Sequence, residues 1–112
     1  MILPAEGYLL RIFIGDSDKH EGKPLYEWLV TQAREQGLAG ATAWRGLMGF
    51  GAHSRIHTAK ILQLSQDLPV VIEIVDVEER VQQLLTVLDQ MIPEGLVTME
   101  KVRIVKYAHR EQ

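Results

Sequence analysis

The chain has 112 residues, 46% of them apolar and 24% charged, with a formal net charge of −3 and no cysteine. That composition suits one soluble globular domain, long enough to build a core without covalent staples. It excludes disulfide scaffolds, thiolate metal sites and thiol nucleophiles, and it supplies no global basic field to recruit nucleic acid.

Met1 to Pro4 is apolar but short and lacks a basic leader, and no apolar run reaches membrane-spanning length. We therefore expect a single cytoplasmic domain over residues 1–112. Gly7 to Ile14 reads as the first strand, rich in β-branched and aromatic residues. Leu10, Ile12 and Ile14 face one side, and Leu9, Arg11 and Phe13 the other. Both sides are largely apolar, as in a central strand. Gly15 to Lys23 is a polar loop with carboxylates at Asp16 and Asp18, without the rest of a calcium-loop pattern. Pro24 suits the first turn of a helix. That helix is expected from Pro24 to Gln36, with Leu25, Trp28, Leu29 and Ala33 on one face and Gly37 as its stop.

Ala41 to Met48 reads as the second strand and Leu68 to Val75 as the third. Asp76 is placed to cap a second helix, with Glu78 and Glu79 in its first turn. Val81, Leu84, Leu85 and Leu88 form that helix's apolar stripe, and Pro93-Glu-Gly95 ends it. Leu96 to Tyr107 is the last strand, and His109 to Gln112 a polar tail. Trp28 and Trp44 read as core, with stacking on a ligand ring as the alternative for Trp44.

The order β-α-β-β-α-β defines an α+β, ferredoxin-like sandwich: a four-stranded antiparallel sheet with two helices on one face. The other face is left uncovered and carries Leu9, Arg11, Phe13, Val71, Glu73 and Val75. First and third strands are neighbours in this fold, so Arg11 and Glu73 should pair. An apolar face with compensated charges predicts self-association.

Between the second and third strands the periodicity breaks down, in Arg45-Gly-Leu-Met-Gly-Phe-Gly-Ala-His-Ser-Arg-Ile-His-Thr58. Gly46, Gly49 and Gly51 permit positive φ and close approach of a ligand, and Arg45 and Arg55 suit phosphate or carboxylate. The glycine spacing is neither that of a P-loop nor of a dinucleotide fingerprint. By spacing alone the stretch is either a ligand loop or a bulged hairpin with solvated arginines. His53 and His57 are polar loop histidines, a ligand-facing pair or a metal site. No triad, elbow or paired-acid pattern is present, so no catalytic residues are assigned and no enzyme is expected.

The segments Gly15-Asp16, Gly22-Lys-Pro-Leu-Tyr-Glu27 and Gly40-Ala-Thr-Ala-Trp-Arg-Gly-Leu-Met-Gly-Phe-Gly51 carry a family resemblance. Leu64-Ser-Gln-Asp-Leu-Pro69 and Ile74-Val-Asp76 continue it in order. The chain resembles the PII-like proteins of the domain-of-unknown-function one-ninety family, from about Tyr8 to Lys106. That family is similar to PII signal-transduction proteins, trimers of ferredoxin-like subunits that bind adenine nucleotides between subunits. Their loop between strands two and three contacts targets, and a Gly-Phe-Gly at its base matches Gly49, Phe50 and Gly51. The resemblance thus implies a homotrimeric PII-like regulator whose Ala52–Gln66 loop meets a partner protein, such as a membrane transporter. No cofactor is required, and the implied effector is AMP, ADP or ATP.

Two departures stand out. Asp76-Val-Glu-Glu-Arg80 runs straight into the helix where PII proteins have a glycine-rich phosphate loop, and the tyrosine that some PII proteins modify has no counterpart. Phosphate donors would then come from Arg45, Arg55, His57 or Lys106, with Gly46, Gly49, Phe50, Gly51 and His53 completing the expected ligand site. The alternative, from another class, is a metal-binding or metal-tolerance trimer using His53 and His57.

Overall fold

A computed structural model describes residues 3–49, 57–58, 68–92 and 94–108, with backbone alone at 57–58. Strand β1 (Glu6–Gly15) leads into a small hairpin, β2 (Lys19–His20) and β3 (Lys23–Pro24), and then helix α1 (Leu25–Glu35). Strand β4 (Ala41–Arg45) is followed by β5 (Met48–Gly49) and β6 (His57–Thr58), which pair with each other. Strand β7 (Pro69–Asp76), helix α2 (Glu78–Leu88) and strand β8 (Leu96–Arg103) complete the order.

The main sheet runs β4-β7-β1-β8, and each neighbouring pair is antiparallel. Two helices and this sheet make the ferredoxin-like fold that the alternation of elements predicts. The strand alternation decides the layers. Leu10, Ile12, Ile14, Val70, Ile72 and Ile74 are buried, and so are Leu25, Leu29 and Ala33 of α1 and Val81, Leu84 and Leu88 of α2. Those helix residues recur at helical spacing and cover one sheet face.

Local chemistry explains several boundaries. Glu21 (φ 52°) and Gly22 (φ 81°) form the two-residue link of the β2–β3 hairpin, the positive-φ pair such tight turns require. The solvated loop expected over Gly15–Lys23 is thus partly paired. Gly37 (φ 80°) ends α1 as expected, with its N–H on the Arg34 carbonyl (3.1 Å) and the Leu38 N–H on the Ala33 carbonyl (3.0 Å). That double bond pattern is a Schellman stop.

Five expectations are corrected. Pro24 is the N-cap of α1 rather than a residue of its first turn, and the N-cap of α2 is Val77 rather than Asp76. The second strand stops at Arg45: Gly46 makes the last ladder bond, its N–H on the Pro69 carbonyl, and Met48–Gly49 pairs elsewhere. The last strand stops at Arg103, where Ile104 turns its N–H to the Ala5 carbonyl. Trp44 is not core: it alternates onto the uncovered face at the sheet edge and is 58% exposed.

Candidate functional site

Three described places open to solvent could serve as a site. The first is the corner where β1 ends, β4 ends and β7 begins. The Asp16 N–H donates to the Leu68 carbonyl (2.8 Å), and the Leu68 N–H donates back to the Asp16 carboxylate (3.2 Å). The second Asp16 carboxylate oxygen lies 3.4 Å from Nε of Arg45, whose side chain is 58% exposed. One residue further, the Gly46 N–H donates to the Pro69 carbonyl (2.7 Å).

Gly46 and Gly49 belong to this corner for a reason different from the one expected. Neither has positive φ; among the described glycines that distinction belongs to Gly22, Gly37 and Gly95. What approaches them is the Pro69 ring: a Cβ on Gly46 would lie 2.8 Å from Pro69 Cγ, and one on Gly49 3.2 Å. The missing side chains let the chain leaving β4 lie against the proline that starts β7.

The second place is the uncovered sheet face. Arg11 donates from Nε to Glu73 (2.8 Å) and from Nη1 to Glu100 (3.2 Å), and Trp44 Nε1 donates to the other Glu73 oxygen (2.9 Å). The expected Arg11–Glu73 pair is therefore present. The Arg11 hydrogen bond holds the Glu73 carboxyl below its ordinary value against the opposing effect of partial burial, with Trp44 assisting. The same Glu73 bond raises the Arg11 guanidinium. Around this network runs an apolar row across all four strands, Trp44 beside Val71, Val71 beside Phe13 and Phe13 beside Leu96.

The third place is a cleft of about 700 Å³ that sequence reasoning missed. After β8 the chain crosses towards the start of β4, and the Tyr107 hydroxyl donates to the Ala39 carbonyl (3.0 Å). Leu9, Thr42, Glu73, Val75 and the strap's Val105 and Lys106 line the space between. Its volume falls in the range of small-molecule sites. The signal for it was faint: only the continuation of an apolar pattern past Arg103, read as more strand.

Of the expected ligand residues, the structure brings Arg45, Gly46 and Gly49 together. Lys106 lies at the opposite end of β4, in the cleft lining. Phe50, Gly51, His53 and Arg55 lie outside the described residues, as does the Ala52–Gln66 loop apart from the backbone of His57 and Thr58. Among the described residues no group of three or more His, Asp or Glu could hold a metal ion, and no helix is long and apolar enough to cross a membrane.

The strand order and the helix-covered face define a ferredoxin-like fold, with the loop base between β4 and β7 at one end of its sheet. The chain belongs to the DUF190 family, described as Uncharacterized ACR, whose model matches residues 7–104. It is 41% identical over 97 residues to a UPF0166 protein of Aquifex aeolicus, covering 87% of this chain and 91% of that one. A UPF0166 protein of Methanocaldococcus jannaschii is 32% identical over 99 residues, covering 88% and 91%. In fold the chain is similar to CPII, a nitrogen regulatory PII-like protein from Thiomonas intermedia K12 solved with ADP, AMP and bicarbonate. That likeness has a TM-score of 0.69 at 19% identity and covers 90% of each chain.

Proposed function

We propose that this protein is a non-enzymatic, homotrimeric PII-like regulator that binds an adenine nucleotide (AMP, ADP or ATP) between subunits. In this reading the loop between β4 and β7 contacts a partner protein, a transporter or another target. The observation that carries the proposal is the cleft, with an apolar floor at Leu9 and Val75, polar atoms at Thr42 and Glu73, and a cation at Lys106. An apolar wall with a few placed polar groups is what a nucleoside needs, and a lysine suits its phosphate. The adenine nucleotides held by the fold neighbour CPII support the same ligand class.

The inter-subunit placement has a geometric reason. Arg45 and Lys106 sit at opposite ends of β4, a five-residue strand. At about 3.3 Å per residue the strand alone separates its ends by roughly 13 Å. By alternation Arg45 also belongs to the helix-covered side, whereas the cleft opens on the other. For both cations to act on one phosphate group, they must come from different subunits.

Calorimetric titration of AMP, ADP and ATP into wild-type, Lys106→Ala and Arg45→Ala protein tests this. Each substitution should weaken nucleotide binding at least about fivefold, the loss expected for one charge-assisted contact of about 1–1.5 kcal/mol. A loss with Lys106→Ala alone would confine the ligand to the cleft. No binding of any nucleotide by the wild type would remove the proposal.

A further inference from the structure

We infer that Asp16 is the residue that sets how strongly, and which, anions bind at Arg45. The inference rests on the reading of Arg45 as an anion contact and adds a regulator to that contact. The Asp16 side chain is only 17% exposed. Its carboxylate accepts from the Leu68 N–H, and the backbone beneath it is held by the Asp16 N–H on the Leu68 carbonyl. The carboxylate is thus the more anchored partner. Arg45 is the adaptable partner, more than half exposed on a long stem, and its Nε–carboxylate distance of 3.4 Å is long for a charge-assisted bond. Among the described residues Asp16 is the carboxylate that Arg45 meets.

The corner thus carries a built-in counter-anion. With Asp16 present the pair has no net charge, so an incoming anion must displace or share a carboxylate already there. A singly charged carboxylate merely exchanges like for like. A phosphoryl group brings more charge and the oxygens for two parallel bonds to a guanidinium fork, so it gains over the resident group. The corner therefore selects phosphoryl ligands over carboxylates and discounts the affinity of both.

The test uses inorganic pyrophosphate and ADP as probes, titrated calorimetrically at two salt concentrations. Asp16→Asn removes the charge but keeps an oxygen for the Leu68 N–H. It should tighten binding of both probes about two- to fivefold, as loss of an exposed ion pair's worth of competition implies, with a steeper salt dependence. In an Arg45→Ala background the gain should vanish, which a purely structural role for Asp16 would not produce. Asp16→Ala, which strands the Leu68 N–H, should lower Tm where Asp16→Asn does not. Unchanged or weaker binding by Asp16→Asn, a gain that persists without Arg45, or failure of both probes to bind Asp16→Asn would each overturn the inference. Pyrophosphate tightening with no ADP binding would keep it and remove the nucleotide reading. ADP binding indifferent to both Asp16→Asn and Arg45→Ala would do the reverse.

Discussion

Asp76 has no solvent exposure, yet its carboxylate meets three donors: the Ala39 N–H (2.8 Å), the Val77 N–H (2.6 Å) and Arg80 Nη1 (3.3 Å). These tie the segment after α1, the end of β7 and the first turn of α2 to one side chain. Buried carboxylates persist only when satisfied in this way, and removing the acceptor strands donors that water cannot reach. Asp76→Ala should therefore cost about 2–4 kcal/mol in urea unfolding, with the slope of the transition unchanged. Asp76→Asn, which keeps one acceptor oxygen, should cost less. A loss under about 1 kcal/mol for Asp76→Ala would mean that water reaches the stranded amides. The sequence placed an important Asp here but not its role: beside Glu78 and Glu79 it reads as a helix cap. Its defining partner, Ala39, stands 37 positions upstream, and no local pattern announces such a contact.

At the scale of elements, the glycines after β4 show how a correct signal acquires a wrong cause. Gly46 and Gly49 mark a close approach, as the sequence suggests, but the approaching group is Pro69, brought in by β4–β7 pairing. The elements themselves were legible because their apolar periods are local, whereas this packing depends on register between strands far apart in the chain. Gly46→Ala would place a methyl 2.8 Å from Pro69 Cγ and should cost roughly 1–3 kcal/mol, the usual range for overpacking. Gly49→Ala, at 3.2 Å, should cost less. In a Pro69→Ala background, which removes Cγ, the cost of Gly46→Ala should fall by at least about 0.5 kcal/mol. Thermal unfolding of the four proteins in that cycle decides it. Equal costs with and without the ring would show that Gly46 is glycine for a different reason. The cleft beside the strap left only a faint trace in the sequence, since its walls meet only once β8, β1, β7 and the start of β4 are laid side by side.

For the whole molecule, the question is what covers the second face of the sheet. Helices shield the two central strands on one face, so Leu10, Ile12, Ile72 and Ile74 are essentially without exposure, while Trp44 and Leu96 stand 58% and 56% exposed on the other. The row Trp44, Val71, Phe13 and Leu96 is apolar from edge to edge, and the charges in the next row, Arg11 and Glu73, already satisfy one another. Such a face loses little when buried and leaves little reason for solvent exposure. The trimer proposed above would cover this face, and it would also supply the second subunit by which Arg45 and Lys106 could share a site. Phe13→Glu sets an unpaired carboxylate in the middle of the apolar row. It should shift the protein to monomers in light scattering coupled to gel filtration, because a buried unpaired charge costs several kcal/mol. The far-ultraviolet spectrum should be retained, since the helix-covered core lies on the opposite side of β1. Gln82→Glu, on the exposed side of α2, is the matched control and should leave the assembly intact. A wild-type protein that is monomeric at micromolar concentration would remove the trimer. It would also remove any single site shared by Arg45 and Lys106, because one chain holds them at opposite ends of β4.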